Sequence, residues 1–312
     1  MKTARKRKNR LISRIRISQL ELLAAMDRTD TLSAAAREVN LTQPAASRLL
    51  RTLASDLDIS LFERSSRGLR ATAAGRALVE KAARLVADID RTQQELEAID
   101  SGLAGTTSIG AGVSSCYVIV PSALLLLMRT ASRIVVTVRE GPMEELLSKL
   151  RAGEIDLLVG RFGSDFHHSD LSTHELYQPP VCAVCGPRHP LAARRALSWT
   201  DLLDQAWILP EANTAMRNAV EGIFQAEKRR PERCFIESSS IQTNVALLRK
   251  SDLVWALSSD VAQYFAELGA LKILKAPYVA APGAFVLAHL STRTLSPAAG
   301  RLAECLFKAA GK

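Results

Sequence analysis

The sequence predicts an α/β body behind a small helical module with a β-hairpin, the two joined by one long helix. Three observations lead there. Residues 17–53 carry three short helical patterns, the last with a polar face. Residues 78–99 carry an apolar seam with 4-3-4-3-4-3 spacing. From about Gly105 onward, short apolar runs alternate with helical stretches.

Charge placement separates the parts further. The chain has 312 residues, enough for two or three units, with 47% hydrophobic and 23% charged residues, a soluble balance. Net charge is +9, and residues 1–75 hold 15 Lys/Arg against 7 Asp/Glu, which leaves +1 for residues 76–312. A basic module on a neutral body is the electrostatic footprint of a nucleic-acid binder. Arg14 and Arg16 follow Leu11 and Ile12 at once, so no secretory apolar region forms. The strongly apolar stretch around residues 118–128 is interrupted by Pro121 and Ser122 and is too short to span a bilayer. Five scattered cysteines do not form a disulfide framework. A cytoplasmic protein with reduced thiols is expected, with no membrane partner.

Each element follows in order. Residues 1–16, with eight Lys/Arg and no acid, are expected to be a disordered basic arm. Ile17, Leu20, Leu23 and Ala24 recur at helical spacing over residues 17–28. A second short helix over 33–39 takes Ser33 as its N-cap. Asn40 tolerates the left-handed turn that follows, and Thr42 caps the third helix, with Pro44 in its first turn. Ala46, Leu49, Leu50 and Leu53 give that helix an apolar face. Gln43, Ser47, Arg48 and Arg51 lie on the exposed one, which is the sequence form of a helix-turn-helix. Strands over 61–64 and 69–72, with Ser65-Ser66-Arg67-Gly68 between them, add a basic wing. The winged helix-turn-helix therefore covers residues 17–75.

Over 76–104 a linker helix carries Leu78, Ala82, Leu85, Ile89, Thr92, Leu96 and Ile99 as its seam, and self-pairing into a dimer is the expected use of it. In the body, residues 105–312, strands are expected at 108–112, 134–139, 156–160, 181–185, 207–209, 234–237, 253–257 and 284–290, largely parallel, with helices between them.

The chemistry expected of these residues is specific. Gln43 can pair with adenine through two bonds, Ser47 can bond either kind of base, and Arg48 can reach guanine or phosphate. Thr42 and Arg51 suit phosphates, while Arg64, Arg67 and Arg70 of the wing suit the minor groove or its phosphates. Ligands of α/β folds collect at carboxyl strand ends and helix N-termini. Ser114, Ser115, Arg161, Thr214, Gln242 and Thr243 are the candidates for a small effector, with caps and surface residues as the alternative reading. For Arg161 the rival is a structural salt bridge.

Other signals carry little. Gly110-Ala111-Gly112 lacks the third glycine of a dinucleotide fingerprint. Cys182 and Cys185 sit three apart in an apparent strand and face opposite sides, which disfavours a disulfide or shared metal. His167-His168 has no companion ligands, and no Gly-x-Ser-x-Gly, His-Glu-x-x-His or P-loop occurs. No catalytic residue, metal or cofactor is expected.

Residues 18–72 resemble the N-terminal domain of LysR-type transcriptional regulators. The matching pieces are Ala34-Ala35, Leu41-Thr42-Gln43-Pro44-Ala45-Ala46-Ser47, Leu61-Phe62-Glu63-Arg64, Arg67-Gly68, Thr72 and Gly75. The body resembles the same family's effector domain through Arg139-Glu140-Gly141, Leu150-Arg151-Ala152-Gly153-Glu154-Ile155-Asp156 and His189-Pro190-Leu191. Asp58 and Ser60 stand where the family usually has Gly and Pro, Ala73 replaces a usual Pro, and Arg129 to Ile134 lacks the usual His-Pro-Gly turn.

The resemblance implies two periplasmic-binding-protein-like lobes, lobe I about 105–179 with 278–312 and lobe II about 180–277, crossing near 179–181 and 276–279. It also implies a homotetramer built as a dimer of dimers on promoter DNA, responding to a small-molecule co-inducer between the lobes, with RNA polymerase as a further candidate partner. A ligand-independent or redox-controlled DNA-binding regulator is the alternative. A solute-binding module or enzyme with an incidental basic N-terminus is the reading from another class.

Overall fold

A computed structural model gives the structure of residues 15–29, 31–65, 68–100, 105–162, 168–212, 214–231, 233–280 and 283–311. The expectation for a basic arm falls mostly outside these residues. The chain divides into two compact units between Gly105 and Thr106, with residues 148–155 counted with the first.

In the N-terminal unit, α1 (Ile17–Arg28), α2 (Leu32–Glu38) and α3 (Gln43–Leu57) precede a hairpin of β1 (Phe62–Ser65) and β2 (Gly68–Ala71), then the 28-residue α4 (Ala73–Asp100). Thr31, not Ser33, caps α2: its backbone is still extended, and its hydroxyl accepts from the Ala34 N–H at 3.2 Å. Ser33 is already inside the helix. The turn into α3 passes through Asn40 at φ 57°, and the Leu41 N–H bonds the Ala36 carbonyl at 2.8 Å. Thr42 caps α3 through the Ala45 N–H at 3.4 Å. Asp58 ends α3 at φ 56°, the left-handed conformation that explains the family's usual glycine there and that Asp tolerates.

Leu22, Leu23, Ala35, Ala46, Leu50, Leu53, Leu61 and Ala82 form the core of this unit. Ile17, expected on the buried face, is exposed, and Leu22 is in the core instead. The wing strands pair Phe62 with Ala71, one residue later than expected at the start, because Leu61 turns into the core and its carbonyl takes the Thr72 N–H at 3.0 Å. Thr72 caps α4, accepting from the Gly75 N–H at 3.1 Å and donating to the Ser60 carbonyl at 2.8 Å. A Cβ at Gly75 would lie 2.0 Å from the Leu61 carbonyl oxygen, so this crossing of α4 and the strand entrance requires glycine.

The second unit contains two five-stranded sheets. The first has the order β4-β3-β5-β12-β6, from β3 (Gly105–Ala111), β4 (Ile134–Glu140), β5 (Leu157–Arg161), β6 (Leu171–Tyr177) and β12 (Phe285–Leu290). The second has the order β11-β7-β10-β8-β9, from β7 (Val181–Cys185), β8 (Ala206–Leu209), β9 (Arg233–Glu237), β10 (Leu253–Ser258) and β11 (Lys272–Ile273). Helices α5 (Ile119–Thr130), α6 (Met143–Ala152), α7 (Trp199–Leu203), α8 (Ala215–Ala226), α9 (Ile241–Leu248), α10 (Ser259–Glu267) and α11 (Pro297–Ala309) connect or flank them, and a 3-10 turn, Val113–Cys116, follows β3.

The strands are mixed, not largely parallel. β3 with β5, and β8 with both β9 and β10, run parallel; β12 runs antiparallel to β5 and β6, and β7 to β10 and β11. The reason lies in the crossings. The chain enters the second sheet as β7 and returns to the first as β12, and these two crossing strands run antiparallel to their neighbours in the two sheets. β6, an edge strand with Thr173, His174 and Glu175 exposed, is too polar to register as an apolar run.

Candidate functional site

On α3 the period of the helix divides the side chains. Ala46, Leu50 and Leu53 are buried, whereas Thr42, Gln43, Pro44, Arg48 and Arg51 are exposed and Ser47 is half-buried. Gln43, Ser47 and Arg51 follow one another at i, i+4 and i+8, so they span roughly 12 Å along one face, the width of a DNA major groove. Arg51 Nε donates to the Ser47 carbonyl at 3.3 Å, which steers its guanidinium along the helix. In the wing, Arg70 is exposed opposite Glu63. The Arg64 side chain and all of Arg67 lie outside the described residues.

The linker helix divides in a different way. Ala82 is buried in the unit's core and Leu78 packs against it, while Leu85, Ile89 and Leu96 are 48%, 43% and 62% exposed. The first half of the heptad seam is thus covered by its own module, and the second half is bare in the single chain. The Ile99 side chain lies outside the described residues.

In the second unit the carboxyl ends of the parallel strands face one another, as their contacts establish. Arg161, last residue of β5, donates from Nη2 to Ser258 Oγ at the end of β10, 3.2 Å away, and from Nη1 to the Gly283 carbonyl at 3.0 Å. Its guanidinium lies 4.7 Å from the Phe285 ring centroid. Ser258 Oγ donates to Asp260 Oδ1, and Tyr177 donates to Asp260 Oδ2 at 2.8 Å while stacking on Phe285 at 4.8 Å. Burial lowers the Arg161 pKa, an effect that the Asp260 charge opposes, and burial with Asp260 raises that of Tyr177. Beside this network Tyr117, after the 3-10 turn, meets Tyr264 and Phe265 of α10 at centroid distances of 5.7 and 5.1 Å.

The candidate effector residues occupy these strand ends, but several are engaged in the fold. Ser115 is fully buried and donates to the Val159 carbonyl at 3.3 Å; Ser114, next to it, is half-buried. Thr214 caps α8, accepting from the Arg217 N–H at 3.1 Å and donating to the Glu211 carbonyl at 2.8 Å. Gln242 and Thr243 are exposed in the first turn of α9, where Thr243 Oγ1 accepts from Ser240 Oγ at 2.9 Å.

A family model described as LysR substrate binding domain matches residues 100–311, and one described as bacterial regulatory helix-turn-helix protein, lysR family, matches residues 17–76. The chain belongs to the LysR family of transcription regulators. The HTH-type transcriptional regulator GbpR of Azospirillum brasilense is 30% identical over 301 residues, 96% of this chain and 88% of that protein. The HTH-type transcriptional regulator GalR of Pseudomonas putida is 27% identical, covering 92% of this chain and 72% of its own. Among solved structures, the LysR family regulator CbnR superposes with a TM-score of 0.65 at 19% identity, over 95% of this chain and 99% of that one. Full-length CbnR complexed with its target DNA gives 0.63 at 18% identity, over 95% and 100%. The LysR protein described here is accordingly a DNA-binding transcription regulator with a C-terminal effector domain.

Several features of this LysR effector domain escape sequence reading. Tyr117, Glu140, Tyr177, Ser258, Asp260 and Tyr264 come together only through the topology. Gly112 and Gly160 seat Met143: a Cβ on either would lie 3.0 or 2.3 Å from its sulfur, which gives Gly110-Ala111-Gly112 a packing role. Cys182 and Cys185 face separate cores on the two sides of β7, and burial pushes both thiols up to about 12. Cys116 is also pushed up to about 12, by burial and then by the Glu140 charge. Among the described residues no group of three or more His, Cys, Asp or Glu could hold a metal, and no helix is long and apolar enough to cross a membrane.

Proposed function

We propose that this LysR regulator is a cytoplasmic homotetramer whose grip on promoter DNA is set by a small co-inducer held between the two lobes. Residues Gln43, Ser47 and Arg48 read base edges in the major groove, Thr42, Pro44 and Arg51 set the helix on the backbone, and Arg64, Arg67 and Arg70 reach the minor groove. The observation that carries this reading is the exposed polar face of α3, set on a module whose linker helix leaves Leu85, Ile89 and Leu96 bare. A bare half-seam on a long helix supports self-pairing, which sets two recognition helices against paired half-sites.

A second bare apolar face supports the tetramer. Leu125 and Met128 on α5 are 57% and 67% exposed, and Val135 is exposed on the edge strand β4. An unpaired strand edge and an exposed apolar helix face each favour association. In this account ligand binding favours one relative arrangement of the lobes, which requires unequal affinity for the two states. Ser114, Gln242 and Thr243 are the proposed effector contacts, Ser115 and Thr214 hold their backbone in place, and Arg161 ties the lobes together. At Cys116, Cys182 and Cys185 burial disfavours the thiolate, the reactive form, so these three thiols are poor redox switches.

Sedimentation of the full chain tests the assembly. The wild type is expected as a tetramer, Leu125→Asp with Met128→Asp as a dimer that still binds one pair of half-sites, and Leu85→Lys with Ile89→Lys as a species that no longer protects paired half-sites. A monomeric wild type at micromolar concentration that footprints a single half-site contradicts the proposal.

A further inference from the structure

A basic band covers the end of the second sheet that lies away from the Arg161–Ser258 contact. Three separate segments build it. Residues 186–197 follow β7 and carry Arg188, Arg194 and Arg195 with no acid. Residues 248–252, between α9 and β10, carry Arg249 and Lys250 with Asp252. Residues 271–276, around β11, carry Lys272 and Lys275. The topology brings these segments together. β10 and β11 flank β7, with Val254 and Lys272 both opposite Cys185. The Leu197 N–H bonds the Lys275 carbonyl at 2.9 Å, and a Cβ on Gly186 would lie 1.8 Å from the Leu248 carbonyl oxygen. Strand rise places Leu253, at this end of β10, roughly 16 Å from Ser258 at the other.

The seven cations are all exposed, and among the described residues none of them is locked in an ion pair; Arg194 acts on Asp201 through its charge. Asp252 is the one acid in the three segments. Residues 76–312 carry only +1 in total, so outside the band they are net acidic. The positive charge of the body is therefore gathered on one surface.

What that surface lacks decides its partner. Protein–protein interfaces are anchored by aromatic or aliphatic side chains and are poor in Lys. Among the described residues no exposed large hydrophobic side chain falls in the three segments. Tyr278, the nearest in sequence, adjoins Val279, which pairs with Val181 at the far end of β7. Arg and Lys without an apolar anchor suit a phosphate backbone, which is repeated charge with no pocket to fill.

We propose that this band is a second DNA surface, which grips the phosphate backbone of the duplex flanking the sequence read by the helix-turn-helix. It reads no bases. It adds affinity that depends on salt and on the length of the DNA.

Binding of the full chain to two duplexes tests this, one limited to a pair of half-sites selected from random DNA and one with the same site centred in about 80 bp. For the wild type, log K is expected to fall more steeply with log salt on the long duplex. Arg195→Gln with Lys272→Gln and Lys275→Gln is expected to leave Tm and short-duplex binding unchanged. On the long duplex it is expected to weaken binding by about 10- to 100-fold at low salt and to reduce the salt slope by about 2–3, one phosphate contact for each charge. Arg230→Gln with Arg301→Gln and Lys308→Gln removes as many exposed cations outside the band and is expected to change neither quantity. Equal wild-type slopes on the two duplexes overturn the proposal. So does a loss as large on the short duplex, or in the control variant. A band variant that keeps long-duplex binding but fails to regulate transcription by purified RNA polymerase overturns it too, and assigns the band to an acidic protein surface.

Discussion

Helix α3 and the carboxyl strand ends of the second unit use the same residue types in opposite ways. On α3, Gln43 and Arg48 face outward from a helix whose other side alone is built into the core. At the strand ends, Ser115, Thr214 and Arg161 are bonded to carbonyls, amides and hydroxyls of the chain itself. A hydroxyl or guanidinium next to a strand end therefore says little about ligands until its partners are known. The same groups on a solvent-facing helix are available for an outside molecule.

The comparison breaks first where close packing supports each region. Gly75 and Gly186 each admit a backbone carbonyl that a Cβ would meet at 2.0 Å from Leu61 and 1.8 Å from Leu248. Neither carbonyl can give way as a side-chain tip would. Gly75→Ala and Gly186→Ala are each expected to cost about 3 kcal/mol in denaturant unfolding, the upper range for overpacking. Gly75→Ala should also abolish DNA binding with Gln43 intact. Losses below about 0.5 kcal/mol at both sites would mean the crossings are looser than described.

Arg161→Met sharpens the contrast. It removes two charge-assisted hydrogen bonds and the cation whose charge Asp260 opposes, so a loss of about 2 kcal/mol is expected. An Arg161→Met protein as stable as the wild type would return Arg161 to the set of free, ligand-reading groups. Gly300→Ala works in the other direction. Nothing lies within 4 Å of a Cβ there, inside α11, so a gain of about 0.5–1 kcal/mol is expected.

The smallest effect is a pH slope. His189 is buried, its Nδ1 accepts from the Leu191 N–H at 3.0 Å, and burial lowers its pKa. The unfolded chain therefore takes up the proton first as pH falls. Stability from this group is present above the unfolded pKa of about 6.5 and is lost as pH drops through the lower folded value. Melting curves from pH 7.5 to 5.5 are expected to show that decline flattened in His189→Asn; parallel curves would remove His189 as its source.

How far the sequence could be read follows the same division. Helical period alone placed Gln43, Ser47, Arg48 and Arg51 on one face, and Asn40 and Thr42 marked a turn and a cap because their chemistry acts over three or four residues. Ser33 was misjudged by two positions, since Thr31 offers the same hydroxyl and the backbone turns helical before Ser33. β6 was invisible, because an edge strand with polar residues lacks an apolar run. At the strand ends, Arg161 and Ser258 are 97 residues apart in sequence yet share a hydrogen bond. No local pattern links them, and the same holds for Tyr117 with Tyr264 and for Glu140 with Cys116.

The central claim is that α3 reads DNA bases as one of a pair. Selection of binding sites from random DNA by the full-length wild type and by Gln43→Ala tests it most directly. The expected outcome for the wild type is two related half-sites about one helical turn, or a multiple of it, apart. For Gln43→Ala, affinity is expected to fall by about 1–3 kcal/mol, with preference relaxed at one base pair in each half-site and kept elsewhere. Identical selected sequences for the two proteins, or a single unpaired site for the wild type, would contradict it.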